Sequence, residues 1–320
     1  MLILGHDDVL AALSPEECAD AMTAVLAAHA RGEAKMPLRS MVPFEGAAGF
    51  MATMPAWRGG SDPVFSLKSL VIAPGNPARG LDTHQGTVTL FDGSTGQPRA
   101  ILDASAVTAV RTAAVSVVAT RTLAREDARV LTILGAGVQG RAHLRALPAV
   151  RAFDEVRVYS PSVEHARALA DGRAQVADSA EAAVRGADVV VLATTSSEPV
   201  ISRDWLAPGA HVNAIGASVP SARELDTETV AAAALFCDSR ESLRNEAGEF
   251  RLAVEQGAIA GEDHVRAELG EVLAGMSPGR TGPEELTVFR SLGLAVEDLA
   301  AAERAVSLAR ARGIGVEVTL

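Results

Sequence analysis

Residues 129–147 read RVLTILGAGVQGRAHLRAL, and the layout of the whole chain follows from them. RVLTIL is a short apolar run of the kind that forms a buried strand, and RAHLRAL has the spacing of a helix. Between them, Gly135-Ala136-Gly137-Val138-Gln139-Gly140 spells GxGxxG. Alone that spelling is weak, because glycine-rich turns are common. With a strand ahead and a helix behind, it has the context of a dinucleotide-binding turn. Gly135 makes the sharp bend, Gly137 lets the backbone approach the ligand, and Gly140 lets helix pack on strand. A pyrophosphate would rest on the helix N-terminus, where unsatisfied N–H groups and the helix dipole favour negative charge. A tight turn with no ligand is the plainer alternative, and the flanking elements weigh against it.

Downstream, the short apolar runs EVRVYS (155–160), DVVVLAT (188–194), HVNAIGA (211–217) and ALFCDS (234–239) alternate with helical stretches such as GRAHLRALPAV and PSVEHARALADG. Strand and helix alternating at this spacing predict a parallel sheet with helices on both faces, a Rossmann-type doubly wound α/β domain. The second strand ends at Ser160 rather than at Asp or Glu. An acid there would bind both ribose hydroxyls and repel a 2′-phosphate. Ser160-Pro161-Ser162 leaves the phosphate possible, although no Arg stands beside it, so the reading leans to NADP(H) over NAD(H). Ser160 serves equally well as the cap of the next helix. In NAIGASVPSARELD (213–226) a strand runs into a Gly-Ala-Ser-Val-Pro loop, with a helix expected from about Ser221. Small residues at a strand end let a ligand approach the backbone, which makes Ser218 a candidate contact.

Upstream, Ser14-Pro15-Glu16-Glu17 has the form of a capping box with Pro at the first helical position, opening a helix to about Arg31. Residues 36–72 are broken by Pro and Gly and suit strands and turns. TVTLFDGSTGQPRAILD (87–103) is a hairpin signal, followed by a long, mostly apolar helix over 104–124. The expected organisation is an N-terminal α+β domain over 1–118 and a Rossmann domain over 119–302, with 303–320 returning to the first. A net charge of −11 argues against nucleic acid or an anionic membrane as partner. The two cysteines, Cys18 and Cys237, form no framework and fit a reducing compartment. No apolar run approaches a membrane span, and MLILGHDDVL lacks the apolar core of a signal peptide, so a cytoplasmic location is expected.

Three basic residues stand in apolar or small surroundings: Arg39 in PLRSM, Lys68 in FSLKSL and Arg111 in AVTAVRTAAVS. A salt bridge or a snorkelling side chain explains any one of them. Three together point toward an anionic ligand, since charges are rarely buried without a partner. Arg grips a carboxylate in a fork, and a desolvated Lys can serve as acid or base. His84, with Asp82, Thr83 and Gln85, forms a polar group at a strand entrance. A ligand contact and a purely structural role both fit it. No His/Cys/Asp cluster has metal-ligand spacing, and no serine nucleophile elbow is present.

The segments GFMATMPAW, FSLKSL, DTHQGTVTLFD, AVRTAAVS, ILGAGVQG, GAHVNAIGASVPSARELD, CDSRES and ELTVFRSLGLAVEDLAA occur in this order along almost the whole chain. Together they resemble the ornithine cyclodeaminase/mu-crystallin family. The resemblance implies a homodimer whose N-terminal domain dimerises and binds substrate while a Rossmann domain binds NAD(P). It implies that Arg39, Lys68 and Arg111 surround a substrate carboxylate, with Ser218 as a further substrate contact. Thr83, His84, Arg111 and Thr112 would lie near the cofactor. Gly135, Gly137, Val138, Gln139, Gly140, Ser160, Ser162, Ala193, Thr194, Asp238 and Ser291 would line its site.

One stretch separates the members of that family. Cyclodeaminases resemble NAxGGDxPGKxELH, with an Asp as the acid/base after the glycines. This chain has Ser218 there, and Ser221-Ala222-Arg223 in place of the Gly-Lys stretch. Ketimine and pyrroline-2-carboxylate reductases resemble NAxGASxPxxRELD, which matches. Cyclodeamination must oxidise an amine, release ammonia and admit a second amine, and a carboxylate helps manage those protons. Ser cannot ionise in that role. A one-step reductase needs only a hydride and an iminium carbon within reach. An NAD(P)H-dependent imine reductase acting on a small 2-imino carboxylate is therefore the expected activity. An alanine-type amino acid dehydrogenase, a cyclodeaminase and a mu-crystallin-like binder of a small ligand are the competing readings, and the intact Arg39/Lys68/Arg111 set argues against lost catalysis.

Overall fold

The computed structural model describes residues 1–320 apart from Ala217 and Leu320. The chain forms two compact units, one from Met1–Ala114 and Gly293–Leu320, the other from Val115–Leu292. The first boundary falls inside the helix Ala104–Leu123, and the second falls just ahead of the helix Ala295–Arg312, which lies wholly in the first unit.

The first unit is built on an eight-stranded, mainly antiparallel sheet. Its path runs Val316–Glu317, Leu2–Leu4, Pro98–Asp103, His84–Asp92, Val64–Ile72, Phe50–Arg58, Ala34–Lys35, with Ser40–Pro43 paired onto Phe50–Arg58. The expected hairpin is the pair His84–Asp92 and Pro98–Asp103, in register from Thr87 opposite Asp103. The Asp92 carboxylate closes its turn by accepting from the N–H groups of Ser94 and Thr95. Ser14 caps the helix Pro15–Ala30 in a full capping box with Glu17, as its sequence predicts. A shorter helix, His6–Ala12, was not foreseen.

Alternation along the strands gives the sheet two unlike faces. Ala52, Met54 and Ala56, then Val64, Ser66, Lys68 and Leu70, then Val88 and Leu90 are buried. The helix Ala295–Arg312 packs against these three strands. The other face carries exposed apolar side chains, among them Met51, Phe65 and Val71.

The second unit holds an eight-stranded sheet whose strands all run parallel. Its order is Gln175–Val176, Glu155–Tyr159, Val130–Leu134, Val189–Leu192, His211–Ala214, Thr287–Arg290, Ala234–Cys237, Val265–Glu268. The chain starts at Val130–Leu134, moves outward through two strands, then returns to the other side at Val189–Leu192. The strand order reverses there, and in open parallel sheets ligands bind at the carboxyl ends of the strands at such a reversal. The strands expected from the sequence are all present. The helix expected from Ser221 begins instead at Thr227, because Asp226 is the cap: its carboxylate accepts from the Thr229 N–H at 2.8 Å. Among the described residues no helix is long and apolar enough to cross a membrane.

Candidate active site

Lys68 reaches the buried side of the first sheet because it shares strand parity with Val64, Ser66 and Leu70. It meets the first turn of the helix Ala295–Arg312, which carries Glu297 and Asp298. Lys68 Nζ lies 2.6 Å from Asp298 Oδ2. Arg111, on the helix Ala104–Leu123, donates from Nε to Asp298 Oδ1 at 3.0 Å and from Nη1 to Glu297 Oε2 at 2.9 Å. All four side chains are at most 5% exposed. Buried charges persist only when paired in this way, and removing one partner of a buried pair typically destabilises by about 3–5 kcal/mol. Placing the two acids in the first helical turn adds the favourable field of the helix N-terminus.

The cluster shifts both ends of its central pair. Burial lowers Lys68 to about 8, with Arg111 and Arg39 acting in the same direction, while Asp298 holds it up. Burial alone would raise the Asp298 carboxyl, but the charges of Lys68 and Arg111 outweigh it and hold the group below its ordinary range. Lys68 is therefore an ammonium that can release its proton within reach of neutral pH.

Arg39 is half-buried, and its Nη2 donates to the Gly293 carbonyl at 2.8 Å. Gly293 has φ +80°, and a Cβ there would lie 2.5 Å from Arg111 Nη1. The position demands glycine twice over: for the left-handed turn into the helix, and for the space the guanidinium fills. Arg39, Lys68 and Arg111 are thus brought together at the head of the helix Ala295–Arg312.

His84 sits near the same cations. Loss of solvation first, then the positive field of Lys68, Arg111 and Arg39, lowers its imidazole to about 4, against a smaller opposing effect of Asp82. It is neutral at physiological pH although its rim is exposed. Ser105 Oγ donates to the Asp82 carboxylate, fixing the loop just ahead of it. Thr83 is half-buried, and its carbonyl accepts from Ala73 N–H. Thr112 is buried on the helix beside Arg111.

The remaining candidates lie in the second unit. Gly135, at φ +108°, packs against the carbonyl of Ala193, and a Cβ on Gly140 would overlap the carbonyl of Gly135. Gly137 is the N-cap of the helix Val138–Val150; it is exposed, makes no side-chain cap bond, and has open space where a Cβ would stand. A tight bend, a close helix–strand contact and an open N-terminus with unsatisfied N–H groups are the cradle a pyrophosphate needs, so the residues fit a dinucleotide. Val138 and Gln139 form the first turn of that helix. Ser162, rather than Ser160, caps the next helix: its Oγ accepts from His165 N–H at 3.2 Å and donates to Glu164 Oε2 at 3.0 Å. Ser160 is left half-buried just past its strand.

Ala193 and Thr194 follow the strand Val189–Leu192, on the far side of the order reversal from the glycines. Asp238 and Ser291 lie just past neighbouring strands and are buried together. The Asp238 carboxylate accepts from Ser291 Oγ at 3.4 Å and from Leu292 N–H at 2.6 Å. Ser218 is half-buried in its loop, and the neighbouring Ala217 lies outside the described residues. A cleft of about 530 Å³ lined by Arg203, His264 and Arg266 opens at the amino ends of the strands, the opposite edge of the sheet from the glycine turn. Among the described residues no group of three or more His, Cys, Asp or Glu could hold a metal ion.

Sequence reading missed Glu297, Asp298 and Glu224. The first two had a signal: adjacent acids at the head of an otherwise apolar helix, GLAVEDLAAA. Glu224 is wholly buried. In the sequence it is one acid among several polar residues of SARELD, and nothing local marks it as buried.

The sequence matches the ornithine cyclodeaminase/mu-crystallin family over residues 2–310. Ketimine reductase mu-crystallin of Mus musculus is 41% identical over 275 residues, which covers 85% of this chain and 84% of the relative. Among solved structures, Delta(1)-pyrroline-2-carboxylate reductase of Thermococcus litoralis, in complex with NADH and L-proline, superposes with a TM-score of 0.93 at 35% identity, covering 99% of this chain and 100% of its own. An archaeal alanine dehydrogenase dimer with bound NAD gives 0.92 at 34% identity, over 100% and 99% of the two chains.

Proposed function

The chain belongs to the ornithine cyclodeaminase/mu-crystallin family, and from that membership we propose that it is an imine reductase whose substrate is a small 2-imino carboxylate, such as pyrroline-2-carboxylate or piperideine-2-carboxylate. Its class is that of an NAD(P)-dependent oxidoreductase acting on C=N bonds. The observation that carries the substrate reading is the buried cluster of the first unit. Lys68 and Arg111 are buried there against Glu297 and Asp298, and Arg39 stands beside them at Gly293, a gathering of cations suited to gripping a substrate carboxylate.

In this reading the first unit holds the substrate and the second holds the nucleotide at its glycine turn. When bound, the reduced nicotinamide supplies the hydride that adds to the imine carbon. Arg39 and Arg111 hold the carboxylate, and the C=N electron pair moves to nitrogen. Lys68 supplies or retains the proton on that nitrogen, and the product is the amine. Asp298 keeps Lys68 charged, and Glu297 anchors the guanidinium of Arg111. Neutral His84 leaves the carboxylate-binding field to the three cations.

The relatives with bound NADH and NAD support use of NAD(H). The lean to NADP(H) rests on Ser160. Glu164, 3.0 Å from Ser162 Oγ at the start of the next helix, opposes it with a carboxylate near the same strand end. An alanine-type dehydrogenase is the second reading, supported by the TM-score of 0.92 to the archaeal enzyme. It shares all the chemistry except hydrolysis of the imine. Ser218, at the position of the cyclodeaminase acid, keeps deamination with ring closure in third place. The exposed apolar side chains Met51, Phe65 and Val71 on the open face of the first sheet support a homodimer, as the alanine dehydrogenase is named a dimer. The free, buried Cys18 and Cys237 support a reducing, cytoplasmic setting.

NADH and NADPH oxidation is followed with pyrroline-2-carboxylate, piperideine-2-carboxylate, and 2-oxo acids with ammonia or methylamine. Turnover of a cyclic imine supports the reductase, and turnover only of pyruvate with ammonia moves the assignment to the dehydrogenase. Ammonia release from ornithine would restore the cyclodeaminase, and no turnover on the panel leaves a binder.

A further inference from the structure

The parallel ladder between Val189–Leu192 and His211–Ala214 ends in the bond from Ile215 N–H to the Leu192 carbonyl. Beyond it, the backbones of Gly216 and Thr194 stay in close contact. Thr194 and Gly216 lie two residues past their strands, and both N–H groups turn to one carboxylate. Glu224 Oε1 accepts from Thr194 N–H at 2.7 Å and from Thr194 Oγ1 at 2.8 Å, and Oε2 accepts from Gly216 N–H at 2.7 Å. A Cβ on Gly216 would stand 2.6 Å from Glu224 Oε1 and overlap the backbone of Thr194. The carboxylate therefore takes up the Thr194 and Gly216 N–H groups just past the strands and bridges the two strand ends.

Glu224 is wholly buried, an expensive place for an ion. Burial raises its pKa, and Arg290 together with the Thr194 and Gly216 donors opposes the rise. Arg290 is itself engaged, 2.5 Å from Glu249 and donating to the Ala214 and Ser291 carbonyls. A neutral side chain would hold one strand end with less desolvation. Only a carboxylate offers enough acceptor positions, in one plane, for three converging donors.

We propose that Glu224 is a positioning residue for the nicotinamide half of the cofactor, tying the starts of the loops at Thr194 and Gly216 into one rigid wall. The half follows from topology. The glycine turn and the strands outward of it serve the adenosine side, so the strands beyond the order reversal, Val189–Leu192 and His211–Ala214, serve the nicotinamide side. This rests on the dinucleotide reading above but not on the identity of the imine substrate.

The test compares two ligands on the full chain: NADH, and ADP-ribose, which lacks the nicotinamide. Glu224→Gln turns one acceptor into a donor facing a backbone N–H. Its expected effect is a Kd for NADH at least about tenfold higher, from one buried unsatisfied group, with ADP-ribose binding unchanged within about twofold. Equal weakening of both ligands would mean a general loosening of the unit and overturn the proposal, as would equal affinity of variant and parent for NADH. If the amide variant does not fold, Glu224→Asp, which keeps the charge but is one methylene short of spanning both donors, is read in the same way. Failure of the unsubstituted chain to bind either ligand sinks the dinucleotide reading itself, and the proposal with it.

Discussion

In the first unit, buried charge is answered by buried charge. Lys68 and Arg111 converge on Asp298, and Arg111 reaches on to Glu297. In the second unit, the buried carboxylate of Glu224 faces the charge of Arg290 and is held directly by the N–H groups of Thr194 and Gly216, and the glycine turn offers an uncapped helix N-terminus and open space. The first arrangement is a set of movable side chains whose proton affinities depend on one another, which suits proton handling and recognition of an anion. The second makes its direct contacts through backbone N–H groups, which do not titrate and suit holding a ligand that must bind and leave unchanged in protonation. Side-chain ions tune chemistry, whereas backbone geometry tunes fit.

Breaking the first arrangement should cost the most. Lys68→Ala is expected to lower imine turnover by about 10²–10⁴, the usual worth of a positioned acid or base, while NADH still binds. Unchanged turnover would remove Lys68 from the mechanism. In the second unit, Gly140→Ala drives a methyl into the Gly135 carbonyl. Overpacking of that kind is worth about 1–3 kcal/mol, so NADH affinity should fall roughly tenfold or more, measured by titration, with little change in the pH profile.

The contrast sharpens in pH dependence. Reduction that needs protonated Lys68 should decline as pH rises through about 8, because the ammonium is lost there. Asp298 is the group that holds Lys68 up, so Asp298→Asn should move that decline to lower pH and lower the melting temperature. A decline that stays in place would show that another group titrates. Glu164→Gln should raise the NADPH-to-NADH ratio of kcat/KM by about threefold, the scale of one exposed charge, and an unchanged ratio would free Glu164 of any role in discrimination. Ser218→Ala is expected to have the smallest effect, roughly twofold to fivefold for one hydrogen bond, with an unaltered pH profile. A shifted profile would make Ser218 a proton carrier after all.

Local pattern made much of this legible. The strand–GxGxxG–helix unit, the alternating elements after it and the hairpin near 87–103 are all short-range signals, and each element formed close to where its apolar period and turn residues place it. Lys68 and Arg111 were visible because charge in an apolar run is costly and calls for an explanation. Boundaries depending on one cap were less legible: Ser221 and Asp226 both cap helices well, and only the bond from Thr229 N–H selects Asp226. Ser160 and Ser162 posed the same ambiguity, resolved by the bond from His165 N–H.

The sequence by itself determined that there is a dinucleotide-type turn, a doubly wound sheet and a set of cations with no local counter-ions, because those follow from spacing within a few residues. Tertiary structure alone decided what neutralises the cations and what closes the strand ends. Asp298 is 230 positions from Lys68 in the chain yet 2.6 Å away in space, and Glu224 meets Thr194 across a sequence separation of 30. Such pairings depend on which helix packs on which sheet face and on where a ladder runs out. Those are properties of the packed chain, set by burial and backbone hydrogen bonding over its whole length rather than by any one stretch of it.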